Sequence, residues 1–138
     1  MKKNPSVKNT GISDVFVRAR ITISPEQTEV MLLNGTWNGT AFSEKGKAVD
    51  GIATERTLYD PDSNGIGWYQ GTDGWFYYNS PVAPGQNTEN LFDAVKLGEV
   101  TKNFDITVYQ EAVFAGSYEA KDQVELPVLK GFFAEVTK

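Results

Sequence analysis

The chain has 138 residues, of which 40% are hydrophobic and 22% charged, and these proportions predict one globular domain over residues 1–138 rather than a disordered chain. It contains no histidine and no cysteine, which removes the usual general base, the usual zinc ligands and thiol chemistry, so we do not expect an enzyme. The formal net charge of −5 argues against a nucleic-acid partner, and no apolar run is long enough for a transmembrane segment.

The sequence begins with a basic pair, Lys2 and Lys3, that no apolar stretch follows. A secretory leader has such a stretch directly after its basic residues. The start of the sequence is therefore compatible with a cytosolic protein, and equally with an exported protein whose leader has been removed.

The first predicted strand is Val15–Ser24, where apolar and polar residues alternate. The alternation directs one row of side chains into a core and the other row, which includes Arg18 and Arg20, toward solvent. Pro25 should end the strand because it has no backbone N–H. The inward row is Val15, Val17, Ala19, Ile21 and Ile23, and the outward row is Phe16, Arg18, Arg20 and Thr22.

The next segment predicts a short strand over Thr28–Leu33 that ends in an Asn34-Gly35 turn, with a second turn at Asn38-Gly39. Residues 43–51 are polar and are expected to form an exposed connection. Ile52–Tyr59 has the composition of a weak strand.

Aromatic residues dominate the next two predicted strands, Trp68–Gln70 and Trp75–Tyr78. Further strands are predicted over Leu91–Leu97 and over Phe104–Phe114, which alternates clearly as far as Gln110, where a bulge is an option.

The tail from residue 116 to 138 diverges from this pattern. Tyr118–Leu126 is compatible with one or two helical turns that Pro127 would end, and Val128–Val136 is apolar enough for a last strand. Short strands separated by Gly, Pro and Asn turns predict an all-β fold. The expected fold is a jelly-roll-like or Ig-like antiparallel β-sandwich, with a short helix allowed in the tail.

A first candidate site is the segment from Asp60 to Gly65, which matches the start of an EF-hand-like calcium loop. Asp60, Asp62 and Asn64 would supply the oxygen ligands, so calcium is the one cofactor that the sequence suggests. The closing glutamate is absent, because Gly71 occupies its position. The alternative is a plain surface turn, since Asp, Asn and Gly all favour turns.

A second candidate site consists of four aromatic residues that could bind a glycan. Exposed rings can act as flat platforms for sugars, whereas the alternative is that they pack in the core and across strands. If the strand Trp75–Tyr78 is packed on one side, at most one pair of its aromatics faces solvent. The candidates are Trp37, Trp68, Trp75 and Tyr77.

Four short segments of the chain are informative as a set. They are 4–11 (Asn-Pro-Ser-Val-Lys-Asn-Thr-Gly) leading into 15–18, 73–78 (Asp-Gly-Trp-Phe-Tyr-Tyr), 84–92 with its Pro-Gly-Gln-Asn-Thr and Leu-Phe, and 104–113 (Phe-Asp-Ile-Thr-Val-Tyr-Gln-Glu-Ala-Val). Their order and spacing over residues 4–115 resemble the camelysin/TasA-like family of SipW-dependent secreted bacterial proteins.

The resemblance implies a secreted protein of a Gram-positive bacterium that resides at the cell surface or in the biofilm matrix. It also implies partners among other copies of the chain or other envelope proteins, since some relatives form fibres by strand donation. The protease activity ascribed to relatives is not expected here, because the chain lacks His and Cys.

The sequence thus leaves three hypotheses open. The first is a non-catalytic surface or extracellular-matrix protein, fibre-forming or adhesive. The second is a carbohydrate-binding module that uses exposed aromatics. The third, a hydrolase, would need two acids at catalytic distance in a pocket, with at least one shifted pKa.

Overall fold

Two antiparallel sheets and one helix make up the described part of the chain, residues 5–24, 30–47, 56–97 and 105–136 of a computed structural model. The elements in chain order are β1 (Val15–Ser24), β2 (Val30–Asn38), β3 (Ala41–Lys47), β4 (Arg56–Thr57), β5 (Trp68–Gln70), β6 (Phe76–Tyr78), β7 (Ala94–Leu97), β8 (Asp105–Phe114) and α1 (Leu126–Val136). One sheet has the order β4-β5-β6-β1-β8 and the other β3-β2-β7. Buried side chains of both sheets form a common core, which confirms the predicted all-β sandwich.

Strand β1 is the centre of the larger sheet, with β6 on one side and β8 on the other. Its predicted inward row is confirmed, because Val17 and Ala19 are fully buried between the sheets. The prediction that Arg18 faces solvent is wrong: α1 covers that part of the outer row, and Arg18 is only 8% exposed. Arg20, two residues later on the same face of β1, is exposed as predicted.

The smaller sheet corrects the predicted turn at Asn34-Gly35. Strand β2 runs through both residues to Asn38, and only its register with β3 shifts there. The buried Asn34 amide donates a hydrogen bond to the carbonyl of Leu91 at 3.0 Å, which fixes the strand instead of turning it. The predicted turn at Asn38-Gly39 is confirmed, with Gly39 at a φ of 64° between β2 and β3.

The structure also differs from the connection predicted over residues 43–51 and from the strand predicted over residues 52–59. Residues 43–47 belong to strand β3, so the predicted exposed connection is wrong there; residues 48–51 lie outside the described ranges. Of the weak strand predicted over 52–59, Arg56–Thr57 is strand β4, while residues 52–55 are also outside those ranges.

The tail contains a helix where a last strand was predicted. Leu126–Val136 is helical, so the strand predicted over Val128–Val136 is wrong. Pro127 does not end a helix but stands in the first turn of α1, where its missing N–H costs no hydrogen bond. The apolar residues at 126, 129 and 133 are buried, at the spacing of one helix face.

Helix α1 packs on the outer face of the larger sheet and creates a second core. Phe133 is fully buried, with its ring centroid 5.8 Å from that of Tyr77. Phe16 meets Phe132 at 4.8 Å and Tyr118 at 5.6 Å. The described tail therefore docks on the sheet of its own chain. No helix among the described residues combines the length and apolarity needed to cross a membrane.

Candidate functional site

Strand β8 is an edge of the larger sheet and pairs with β1 over all of its 10 residues, without a bulge at Gln110. Ala115 donates its N–H to the carbonyl of Asp14 at 3.0 Å, and hydrogen-bonded positions alternate along an antiparallel pair. The odd-numbered residues of β8 therefore bond β1, whereas the even-numbered residues point their N–H and C=O groups out of the sheet. Those outward residues are Ile106, Val108, Gln110, Ala112 and Phe114.

The outward groups have no partner strand within the described ranges. Large side chains are also exposed along this strand, since Tyr109 is 56% exposed and Phe114 is 65% exposed. The strand contains no proline and no lysine, and its register is continuous. Proline, lysine and an interrupted register are features by which proteins commonly prevent an edge strand from pairing with another strand. Within the described ranges, strand β8 therefore lacks these protections, and of its two acidic residues Glu111 is paired with Arg18.

The other sheet edges, as far as they are described, carry such protection. Strand β4 has only two residues, and β7 has four, one of which is the exposed Lys96. Strand β3 contains Lys45 and a register shift against β2. The contrast identifies β8 as the edge where a strand could add with least hindrance.

Behind this edge, a buried cation fixes the outer face of the sheet. The Arg18 Nε donates to Oε1 of Glu111 on β8 at 2.6 Å, and its Nη2 forms an ion pair with the same carboxylate. Its Cζ lies 4.1 Å from the ring centroid of Trp75 and 4.7 Å from that of Phe133. The cation thus joins β1, β8 and α1, and its charge is compensated.

A groove of about 400 Å³ lies beside these residues and next to β8. Arg20 is exposed at this groove, and its hydrogen bond to the carbonyl of Asp73 is long, at 3.4 Å. Two aromatic rings together with groups that donate and accept hydrogen bonds are typical of sites for polar ligands. The groove is lined by Arg20, Thr22, Trp75, Tyr109, Gln110 and Glu111.

The structure distributes the four candidate sugar-binding aromatics over four places. Trp68 is 2% exposed in the core between the sheets, and Tyr77 is 1% exposed beneath α1. Trp37 is half-buried on the smaller sheet, where its indole N–H donates to the carbonyl of Asp93 at 2.7 Å. Only Trp75 lies at the groove, where Arg18 and also Arg20, at 4.7 Å, contact its ring. The four rings do not form one platform.

The Tyr77 hydroxyl is held by hydrogen bonds inside the protein and is not available to a ligand. Its hydroxyl donates to Oδ2 of Asp73 at 2.6 Å, and a guanidinium N–H of Arg18 reaches it at 3.4 Å. Burial, followed by the hydrogen bond to Asp73, raises the pKa of Tyr77 to about 12. The hydroxyl therefore stays protonated and holds the loop before β6 in place.

The loop predicted to bind calcium is closed by its own hydrogen bonds. The Asp60 carboxylate accepts the N–H of Asp62 at 3.2 Å and that of Gly65 at 2.8 Å, and the side-chain Oδ1 of Asn64 accepts the N–H of Ile66 at 3.0 Å. These contacts are those of a surface turn. Within the described ranges, no group of three or more acidic side chains is arranged to hold a metal ion. Calcium binding at this loop stays a prediction.

Glu89, which is distant from this loop in the chain, contacts its acidic residues. Burial raises the pKa of Glu89 to about 7, and the charges of Asp60 and Asp62, with hydrogen bonds to both, raise it further. Acids that hydrogen-bond each other are closer than the two carboxyls of a retaining glycosidase, which stand ~5 Å apart. The adjoining pocket, at about 120 Å³, is also small for a substrate. Carboxyls this close leave no room for a glycosidic bond between them.

Tyr109, Glu111 and Glu89 are not among the site residues that the sequence predicts. In the alternation of β8, Tyr109 falls in the same row as Asp105 and Glu111, and two acidic neighbours in that row are a usable signal for exposure. Nothing local connects Glu111 with Arg18 or Glu89 with Asp60, because these partners are distant in the chain.

Comparison with known proteins gives no match to a family model, to a curated protein or to a solved structure. The resemblance to the camelysin/TasA-like family therefore stays a prediction.

Proposed function

We propose that this chain is a non-catalytic, secreted protein of the bacterial cell surface or extracellular matrix, which binds other copies of itself or other envelope proteins through β8. One observation carries the proposal: a strand of 10 residues at the edge of a sheet has its outward N–H and C=O groups unpaired in the described ranges. An added strand pairs with such groups by main-chain hydrogen bonds, and flanking side chains give specificity.

The exposed side chains of β8 support a protein ligand. Phe114 and Tyr109 together expose apolar surface next to the unpaired groups, so an added strand could bury both. Strand addition needs no catalytic residue, which agrees with a chain that has no histidine and no cysteine.

A matched pair of variants tests the edge. Gln110 and Gln86 are both exposed, and Gln110→Lys places a charge at the outward edge whereas Gln86→Lys places it on a remote loop. Light scattering and electron microscopy over a concentration series should show association of the wild type and of Gln86→Lys, and weaker association of Gln110→Lys. If both variants associated equally strongly, β8 would not be the surface through which the chain associates.

The location is tested separately. Antibodies against the chain, applied to fractionated cells of its native source, should find it in the medium or at the cell surface. Recovery in the cytosolic fraction alone would refute a surface or matrix protein.

A second candidate function is carbohydrate binding, which the groove at Tyr109 favours. Its lining of aromatic, amide, carboxylate and guanidinium groups suits a polar ligand. Binding measured by calorimetry with soluble bacterial polysaccharides should be abolished by Tyr109→Ala and retained by Trp37→Ala, whose ring lies on the other sheet. If neither substitution weakened polysaccharide binding, the groove would not be the binding site.

A further inference from the structure

We propose that β8 pairs antiparallel with β8 of a second copy, about a two-fold axis that passes between the two Gln110 residues. The inference rests on the proposed function and specifies the partner and the register. It follows from three properties of the strand: the direction of its backbone groups, the order of its side chains and the position of its charges.

The backbone groups allow only certain registers. In an antiparallel pair, two residues that face each other exchange both hydrogen bonds only if both point their groups across the gap. Outward groups belong to even-numbered residues of β8, so even must face even. With Gln110 opposite Gln110, Ile106 faces Phe114 and Val108 faces Ala112. Every outward group of both strands then has a partner.

The side chains agree with this register. Phe114, 65% exposed, comes to lie beside the Ile106 side chain of the second copy, on the face of the sheet that carries the sandwich core. On the other face, Glu111 lies opposite Tyr109 of the second copy. Facing side chains in an antiparallel pair are near neighbours and stabilise it when they match.

Charge disfavours two neighbouring registers. A shift centred on Glu111 places the two Glu111 carboxylates opposite each other, and a shift centred on Val108 places Asp105 opposite Glu111. Like charges directly opposite are destabilising. A shift centred on Tyr109 also sets no like charges together, but of the five outward residues described it pairs four, whereas the register centred on Gln110 pairs all five. The register centred on Gln110 sets no like charges opposite each other and pairs every outward residue of the described strand.

Cysteine cross-linking tests the register, because the chain has no cysteine of its own. Facing residues at hydrogen-bonded positions have Cα atoms about 5.5 Å apart, within the range that a disulfide spans. Gln110→Cys should therefore form a covalent dimer under mild oxidation. Ala112→Cys should not, because the two copies of residue 112 would be separated by about four residues of strand, roughly 13 Å. Gln86→Cys, on an exposed loop, measures random collision.

At about 10 μM protein, Gln110→Cys should cross-link about a hundredfold faster than Gln86→Cys, because paired thiols have an effective concentration on the order of millimolar. Tyr109→Cys reports the alternative register, in which residue 109 would face its own copy. Circular dichroism of each variant should match the wild type, since residues 86, 109, 110 and 112 are all exposed.

Each outcome decides. Selective cross-linking of Gln110→Cys, together with a dimer in sedimentation equilibrium, supports the pairing. Fastest cross-linking at residue 109 or 112 overturns the register. Association that Gln110→Lys weakens, without selective cross-linking, overturns the two-fold pairing and leaves the proposed function in place. If the protein is a monomer at every concentration and all variants cross-link as slowly as Gln86→Cys, a second copy is not the partner of β8. The proposed function is then tested by measuring binding to envelope proteins instead.

Discussion

Removal of the Phe133 side chain should destabilise the packing of helix α1 on the larger sheet. Phe133 is fully buried, its ring meets Tyr77 at 5.8 Å, and the Arg18 guanidinium lies 4.7 Å from its centroid. Truncation of a buried Phe to Ala costs about 3–5 kcal/mol. Loss of the ring pair and the cation contact should place Phe133→Ala in the upper half of that range.

Urea denaturation followed by tryptophan fluorescence measures this loss, because Trp68 and Trp75 sit on the two faces of the same sheet. Val128→Ala is the matched control, since Val128 is on the same helix but 36% exposed, and it should stay within about 0.5 kcal/mol of the wild type. If Phe133→Ala and Val128→Ala had the same urea midpoint, helix α1 would not cover the sheet in solution, and the tail would be free for another role.

Three further variants test other parts of the structure. Gly131→Ala should stabilise the chain by about 1 kcal/mol in thermal unfolding, because its added Cβ meets no atom within 4 Å and alanine favours the helix. Gly35→Ala should destabilise it by about 1–3 kcal/mol or more in urea, because the added Cβ would lie 2.1 Å from the Ser43 carbonyl oxygen. Glu89, whose pKa is raised from 4.5 to about 7, holds its proton more tightly when folded, so the free energy of unfolding should fall as pH rises from 4.5 to 7 and level off above it. Glu89→Gln should remove that slope when urea midpoints are compared across pH, and an unchanged slope would place its origin elsewhere.

The strands that sequence predicts best are those whose alternation is unbroken. The inward row of β1 and the paired length of β8 follow from period-two patterns. Strand β3 was missed because it is a polar edge strand, whose side chains face solvent whether or not its backbone is paired. Asn34-Gly35 was interpreted as a turn because a bulged strand and a turn favour the same residues.

The tail illustrates a second limit. The apolar content of Val128–Val136 suits a strand, but residues 126, 129 and 133 have the spacing of a helix face, and Pro127 suits a first helical turn as well as a helix end. Which sheet face this helix would cover is decided by packing between distant residues. The exposure of Arg18 depended on that choice, and so did the identity of the groove beside Trp75.

The free edge could be inferred only from the topology. Strand β8 has the composition of an ordinary inner strand, and nothing in its residues shows that a single neighbour pairs with it. The same holds for the acids around Glu89, which become neighbours only through the meeting of two loops.

The position of β1 in the sheet also governs when the molecule can fold. Its partner β8 starts more than 80 residues later in the chain, since Ser24 pairs with Asp105, and the helix that covers Arg18 comes after that. Contacts so distant in sequence make folding slow, in the range of milliseconds to seconds. During synthesis, the first strand can pair with β6 as soon as Phe76–Tyr78 has been made, but its other edge has no partner until β8 follows.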